Sequence, residues 1–256
     1  MKVGYPELQL AAECRLENSS FPASNVEDEH PKKLFKATAS TAALLLSVSA
    51  GSSAAALYSC NATSCTVTVR NGTSAQWASG AQWATGHAWA THTGAQVTIY
   101  ELDPSAVGSL WAEYTAVDNK HIVEFLLANS GGSNIEVGIA RAFVPYVYKQ
   151  PQYPISAGLE DYSIVKKLAN GSTYYRNRDC VRTFGLKLME DRDPDAWEFL
   201  YSVAQLIRQQ PIFWRIVDNA TDREWIVYAK FDGKLPDALL PDKRNSNINI
   251  NLIEVL

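Results

Sequence analysis

Over most of this chain the apolar residues recur with a period of two, and that limits the folds open to it more than any other feature. Thr66-Val67-Thr68-Val69 alternates, and so does Gln96-Val97-Thr98-Ile99-Tyr100. Alternation sends successive side chains to opposite faces of a strand, so a sheet with one buried and one wet face satisfies it. His121–Leu127 and Asn134–Val144 read as longer strands. Between them, Asn129–Ser133 is turn chemistry, because Gly131 and Gly132 permit positive φ. Such runs, spaced by roughly ten residues with polar turns, mark a sandwich or barrel. The expected fold class is therefore mainly β, with an N-terminal sandwich of the jelly-roll kind.

Residues 145–160 change character, with Pro145, Pro151, Pro154 and three tyrosines. Proline donates no ladder hydrogen bond, so this stretch is expected as an extended connector, and the domain boundary is placed here. That divides the chain into 1–148 and 149–256. Beyond it, Ala169-Asn170-Gly171 between Tyr162–Leu168 and Ser172–Arg176 predicts a hairpin, since Asn-Gly suits the tight turns that join twisted strands. Thr183–Met189 reads as a strand. One α-helix is predicted over about 194–209: Asp193 can cap its first turn and Pro194 suits its first position. Trp197, Leu200, Tyr201, Ala204 and Ile207 form one apolar stripe, and Pro211 stops it. Ile212–Val217 and Trp225–Phe231 read as an antiparallel pair, and Asn245–Leu256 as a last strand.

Composition excludes some functions. The formal charge is -4, which gives no bulk attraction to nucleic acid or to anionic lipid. Ala42–Val48 is too short to span a bilayer, and Glu7 and Glu13 interrupt the N-terminal stretch, so neither a membrane span nor a signal peptide is expected. Cys14, Cys60, Cys65 and Cys180 show no paired spacing of a zinc or iron–sulfur site and read as small apolar residues. No nucleophile elbow, phosphate loop, dinucleotide fingerprint or zinc-protease motif occurs, so no enzyme, catalytic residue, metal or cofactor is expected. Glu27, Asp28 and Glu29 precede His30 and Pro31; a solvated loop is the expected role, because no partner carboxylate for glycoside cleavage can be placed.

One internal repeat stands apart. Trp77, Trp83 and Trp89 recur every six residues, with Gly80 and Gly86 between the units and His87 and His92 beside them. An even spacing keeps side chains on one face of a strand. The glycines equally suit a punctuated loop or hairpin carrying exposed aromatics. Indole faces stack on sugar rings or on apolar partners, and Ala, Gln, Thr and Gly surround each ring here. Trp77, Trp83, Trp89, His87 and His92 are therefore the candidate ligand or interface residues. A packed core is the alternative role for the rings.

The stretches Asn25–Pro31, Ala56–Ala62 and Thr66–Arg70 resemble the galactose-binding-like jelly rolls of many phage tail proteins: an acidic loop, then a small-residue strand ending in Asn. Leu34-Phe35-Lys36 stands where that family usually has Trp or Arg, so sugar binding does not follow from the likeness. Residues 155–256 are similar to the β-domains of siphophage distal tail and minor tail proteins. The match lies in the order of Arg182–Met189, Asp193–Gln209 and the Pro-aromatic strand Pro211–Val217. The resemblance implies a structural protein of the tail tip or baseplate, forming a ring and linking the tail tube to tip proteins. It implies tail tube, hub and tape-measure partners, a cyclic homo-oligomer, and a virion assembled in the bacterial cytoplasm. A carbohydrate-binding module recognising host surface glycans is the alternative.

Overall fold

A computed structural model of the chain describes residues 1–14, 16–71, 96–101, 108–148, 150–169, 171–191, 203–217, 225–239 and 245–255. In chain order the first strands are β1 (Lys2–Glu7), β2 (Gln9–Cys14), β3 (Phe35–Lys36), β4 (Thr41–Val48), β5 (Ala54–Cys60) and β6 (Ser64–Asn71). Next come β7 (Gln96–Glu101), β8 (Leu110–Glu113), β9 (His121–Ala128), β10 (Glu136–Val147), β11 (Gln152–Asp161) and β12 (Ile164–Lys167). The last are β13 (Thr173–Arg176), β14 (Cys180–Asp191), β15 (Ile212–Arg215), β16 (Ile226–Phe231), β17 (Asp237–Leu239) and β18 (Asn245–Glu254). The protein is mainly β, as the alternation predicts.

A 5-stranded antiparallel sheet has the order β2-β4-β9-β6-β7. It packs on the β10-β5-β8 part of an 11-stranded sheet, and the two form a β-sandwich. Alternate residues of β4, namely Ala42, Leu44, Leu46 and Val48, point into this core, where Val123, Phe125 and Leu127 of β9 join them. From the other sheet come Ala55, Leu57, Val137 and Ala140. The turn at Asn129–Gly132 carries the chain from β9 in one sheet to β10 in the other; Gly132 has φ +77° and donates to the Asn129 carbonyl at 3.1 Å.

The large sheet runs β11-β14-β18-β16-β15-β1-β10-β5-β8, with β17 on β18 and β3 on β10. Strand β1 is the junction: Val3 pairs with Tyr146 of β10 on one side and with Trp214 of β15 on the other. The boundary expected at 148/149 falls between β10 and β11 of this sheet. A second core, on β14, β18, β16 and β15, includes Leu186, Ile250, Val227 and Trp214 and receives Val203, Ala204 and Ile207 from a helical segment. Of the predicted helix only its end is described: α1 (Gln205–Ile207) closes at Arg208, which has φ +52°, and Pro211 follows. Residues 192–202 lie outside the described residues.

Residues 145–160 differ from expectation. Pro145 lies inside β10 opposite Gly4, beyond the last pairing of β10 with β5, and Pro154 lies within β11, a 10-residue strand. The reason is position: β11 is the outermost strand, where a missing N–H breaks no ladder.

The sheet curls strongly. Tyr58 on β5 and Tyr228 on β16 are four strands apart in the order, yet their ring centroids lie 6.1 Å apart. In a flat sheet four strand spacings would separate them by roughly 19 Å. The bend coincides with the register shift in β1 between Gly4 and Glu7, a bulge that lets one strand turn sharply. The Phe143 ring lies across Gly4, where a Cβ would come within 2.9 Å of it. Inside the curl, Tyr58, Phe143, Phe213, Tyr228 and Trp111 form a third apolar cluster.

A buried ionic network closes the curl. Glu254 on β18 has a side chain 2% exposed. It accepts hydrogen bonds from Tyr58 Oη, from Arg182 Nε at 2.8 Å and from the Arg182 amide at 3.0 Å. Burial and the Glu254 charge raise the Tyr58 hydroxyl far above its ordinary pKa, so the phenol stays a donor. Replacing Glu254 by Ala strands a desolvated guanidinium and a buried hydroxyl, at an expected cost of about 3 kcal/mol. Tyr58→Phe, which removes one hydrogen bond and keeps the ring, should cost about 1 kcal/mol. Urea denaturation of the two variants checks the ratio.

Candidate functional site

Trp77, Trp83, Trp89, His87 and His92, the residues that the sequence singled out, lie in 72–95, outside the described residues. What is described is their attachment. β6 and β7 pair from Ser64–Glu101 to Val69–Gln96, so the segment leaves and rejoins the sandwich at one end of that ladder.

The acidic stretch at 27–29 has a structural task. Arg141 on β10 is 4% exposed and donates to the backbone carbonyls of Val26, Glu27 and Asp28. Its Nε meets the Glu7 carboxylate at 2.9 Å. Burial pushes the Glu7 carboxyl above the usual carboxylate range, and the Arg141 charge partly opposes that. Glu27 accepts from the Ala12 amide on β2, an outermost strand, and so caps a donor that would otherwise be open to pairing. Asp28 is held low by Lys33 and by the His30 amide. The loop is thus anchored to β10 through its backbone carbonyls and to β2 through the Glu27 carboxylate.

A second buried polar group joins Ser52, Tyr114 and His121. Ser52 Oγ hydrogen-bonds Tyr114 Oη, whose oxygen lies 3.4 Å from His121 Nε2. His121 Nδ1 sits 3.0 Å from the Asn119 carbonyl oxygen. Ser52 and His121 are both buried. Among the described residues, no three His, Cys, Asp or Glu side chains gather in a way that could hold a metal ion. Nor is any described helix long and apolar enough to cross a membrane. Cys14, Cys60 and Cys65 are buried free thiols, pushed up to about 11 for Cys14 and about 12 for Cys60; Cys180 is exposed. Thiols raised in this way carry little thiolate and are inert at neutral pH.

The surface that departs most from an ordinary one is the predicted hairpin. β12 and β13 form a separate 2-stranded sheet, with Ile164 opposite Arg176, Val165 opposite Tyr175, Lys166 opposite Tyr174 and Lys167 opposite Thr173. Its turn is closed by Leu168 donating to Ser172 at 2.8 Å and by Gly171, with φ +86°, donating to Leu168 at 2.9 Å. At its base, the Arg178 amide donates to Ser163 Oγ and Lys32 pairs with Asp179 at 2.8 Å. Ile-Val-Lys-Lys and Thr-Tyr-Tyr-Arg do not alternate. Each face therefore receives one aliphatic residue, one tyrosine and a cation, and neither face can be buried as a core. Val165 is 58% exposed and Tyr175 66%, and in the adjoining β11 Tyr153 is 80% exposed. Leu159, Leu168 and Tyr174 are exposed as well. A run of large apolar side chains left in water is the mark of a surface that meets a partner. The sequence carries this signal in the doubled Lys-Lys and Tyr-Tyr, which the hairpin reading alone does not use.

No protein-family model matches the sequence, and no curated protein matches it significantly. Two solved structures share part of the course of its backbone. A chain from the crystal structure of reduced XRCC1 bound to the DNA polymerase β catalytic domain is 14% identical, with a TM-score of 0.38, over 55% of this chain and 100% of that one. A chitosan-binding module derived from a chitosanase/glucanase of Paenibacillus sp. IK-5 is 13% identical, with a TM-score of 0.39, over 54% of this chain and 99% of that one.

Two outcomes follow from the polar clusters. Burial lowers the His121 pKa, against the weaker opposing effect of the Asn119 carbonyl. The folded state thus resists protonation: stability is full above the unfolded-state value of about 6.5 and falls as pH drops below it. The urea midpoint should decrease between about pH 7.5 and pH 5.5, and His121→Gln should flatten that part of the curve. Arg141→Met, which takes a buried donor from three backbone carbonyls and the cation from the partly exposed Glu7 carboxylate, should cost about 2 to 3 kcal/mol. Glu7→Gln keeps those carbonyl bonds and should cost roughly 1 kcal/mol by the same denaturation measurement.

Proposed function

We propose that the chain is a structural assembly protein, one whose work is done by docking and not by chemistry. The observation that carries this reading is the β12–β13 hairpin, a sheet of its own, where Val165, Leu168, Tyr174 and Tyr175 are exposed. A chain leaves that much apolar surface in water when something covers it in use. The likeness of residues 155–256 to siphophage distal and minor tail proteins supplies the setting. The role there is a ring at the end of a phage tail, joining tail tube to tip or baseplate proteins, in a virion assembled in a bacterial cytoplasm.

A second reading is a carbohydrate-binding module that recognises host surface glycans. It is favoured by the attachment of the Trp77/Trp83/Trp89 segment to one end of a β-sandwich, through β6 and β7. Replacing all three Trp by Ala should abolish glycan-array signal on this reading and leave the oligomeric state unchanged.

Light scattering on purified protein at micromolar concentration decides the first reading. The expected mass is an integral multiple of 28.2 kDa, with closed rings in negative stain. A monomer at every concentration, with no binding to tail-tube or tip proteins, overturns it.

A further inference from the structure

The hairpin's charge says what it meets. Residues 162–178 hold Lys166, Lys167, Arg176 and Arg178 and no Asp or Glu. Taking those four charges out of the formal net of -4 leaves -8 on the rest of the chain. The arm and the body are therefore of opposite sign, so two copies of the chain attract arm to body. A nucleic acid fits less well. Four cations would have to hold a polyanion beside a body that repels it, and the aliphatic Val165 and Leu168 would stay in water.

The body offers a face of matching character along β2 and the turn after it. Leu10, Leu16 and Phe21 are exposed there, with Glu13 and Glu17 among them. The parts are contiguous: Thr38 donates to the Leu16 carbonyl at 2.7 Å, Asn18 to Lys36 at 2.9 Å and Lys36 to Phe21 at 3.2 Å. Partial burial and the nearby Glu17 both raise the Glu13 carboxyl; Glu17 itself accepts from the Ala23 amide at 2.9 Å, and Lys36 Nζ lies 5.0 Å from the centroid of the Phe21 ring at the edge of the face. Apolar side chains around the Glu13 and Glu17 carboxylates are the complement of tyrosines and aliphatics around lysines.

We infer that the β12–β13 arm of one copy docks on the β2 face of another, through Val165, Tyr175 and Lys167, which share one face of the hairpin, against Leu10, Leu16 and Glu13. This inference rests on the assembly reading and adds the surfaces to it. Arm and face are different patches, so the contact is heterologous. Each copy gives one arm and receives one, and the series closes into a ring if the rotation allows it.

A mixing experiment tests this. One variant loses the arm's chemistry (Lys166→Glu, Lys167→Glu, Tyr175→Ser); another loses the face (Glu13→Lys, Leu16→Ser). Each should be monomeric by light scattering, with an unchanged thermal melt. Mixed one to one, they should form a species of two chains and nothing larger, because only one intact arm can meet one intact face. Raising NaCl from about 0.05 to about 0.5 M should weaken wild-type assembly at least tenfold, since the charges are near the surface. Should the oligomer persist in either variant, the named contact is wrong while the assembly reading stands. A wild-type chain that stays monomeric removes the assembly reading itself. Salt-sensitive binding of a single-stranded oligonucleotide to a monomer, lost in the arm variant, would overturn the inference in favour of a polyanion partner.

Discussion

The rest of the structure depends on the closure of the curled sheet. Bending a sheet until strands four places apart touch requires a place to bend, something to fill the bend, and a tie across it. The β1 bulge is the first. The packed rings of Tyr58, Phe143, Phe213 and Tyr228 are the second, with centroids 5.2 to 6.4 Å apart. Tyr58 and Arg182 on Glu254 are the third. Aromatic packing is tolerant of angle, whereas a buried carboxylate that accepts from Tyr58 Oη and from three nitrogens of Arg182 has one geometry. The rings thus drive closure and the carboxylate fixes its form. On this frame the sandwich hangs from one end of the sheet and the second core from the other.

How legible this was in the sequence depends on the range of the signal. Period-two alternation is local, and the strands at Thr66–Val69, His121–Leu127, Ile212–Val217 and Asn245–Leu256 are where it places them. Asn170-Gly171 likewise marks its hairpin. Sheet membership is not local. That β9 and β10 enter different sheets, or that β1 sits between β10 and β15, depends on partners too distant in the chain for any window of sequence to contain. Proline misled at 145–160 because its rule concerns ladders on both sides, and the sequence does not say that β11 has a neighbour on one side only.

The candidate site was legible in a different sense. Trp77, Trp83 and Trp89 announce themselves by type, yet type alone does not place a side chain. The arm residues announce nothing by type; what sets them apart is register. Tyr174 and Tyr175, being adjacent, must face opposite ways, and so must Lys166 and Lys167. The acidic triplet at 27–29 is the converse case. Its composition invites chemistry, but two of its backbone carbonyls together with that of Val26 receive Arg141, and Glu27 is spent on a strand edge. Charge clusters in loops serve backbone amides and buried cations at least as often as they serve substrates.

Strand β1 has an implication for how the molecule comes into being. It lies far before both of its neighbours in the chain, and β10 and β15 emerge only later. Until then its amides have no sheet to join, and loop closure over so long a span is slow. The nascent chain can complete the five-stranded layer first, since β2, β4, β6, β7 and β9 all precede residue 130. The large sheet must wait for the C-terminal third to arrive and clamp β1 from its far side. Folding should therefore finish at β1, whose edge on β15 is secured after its edge on β10.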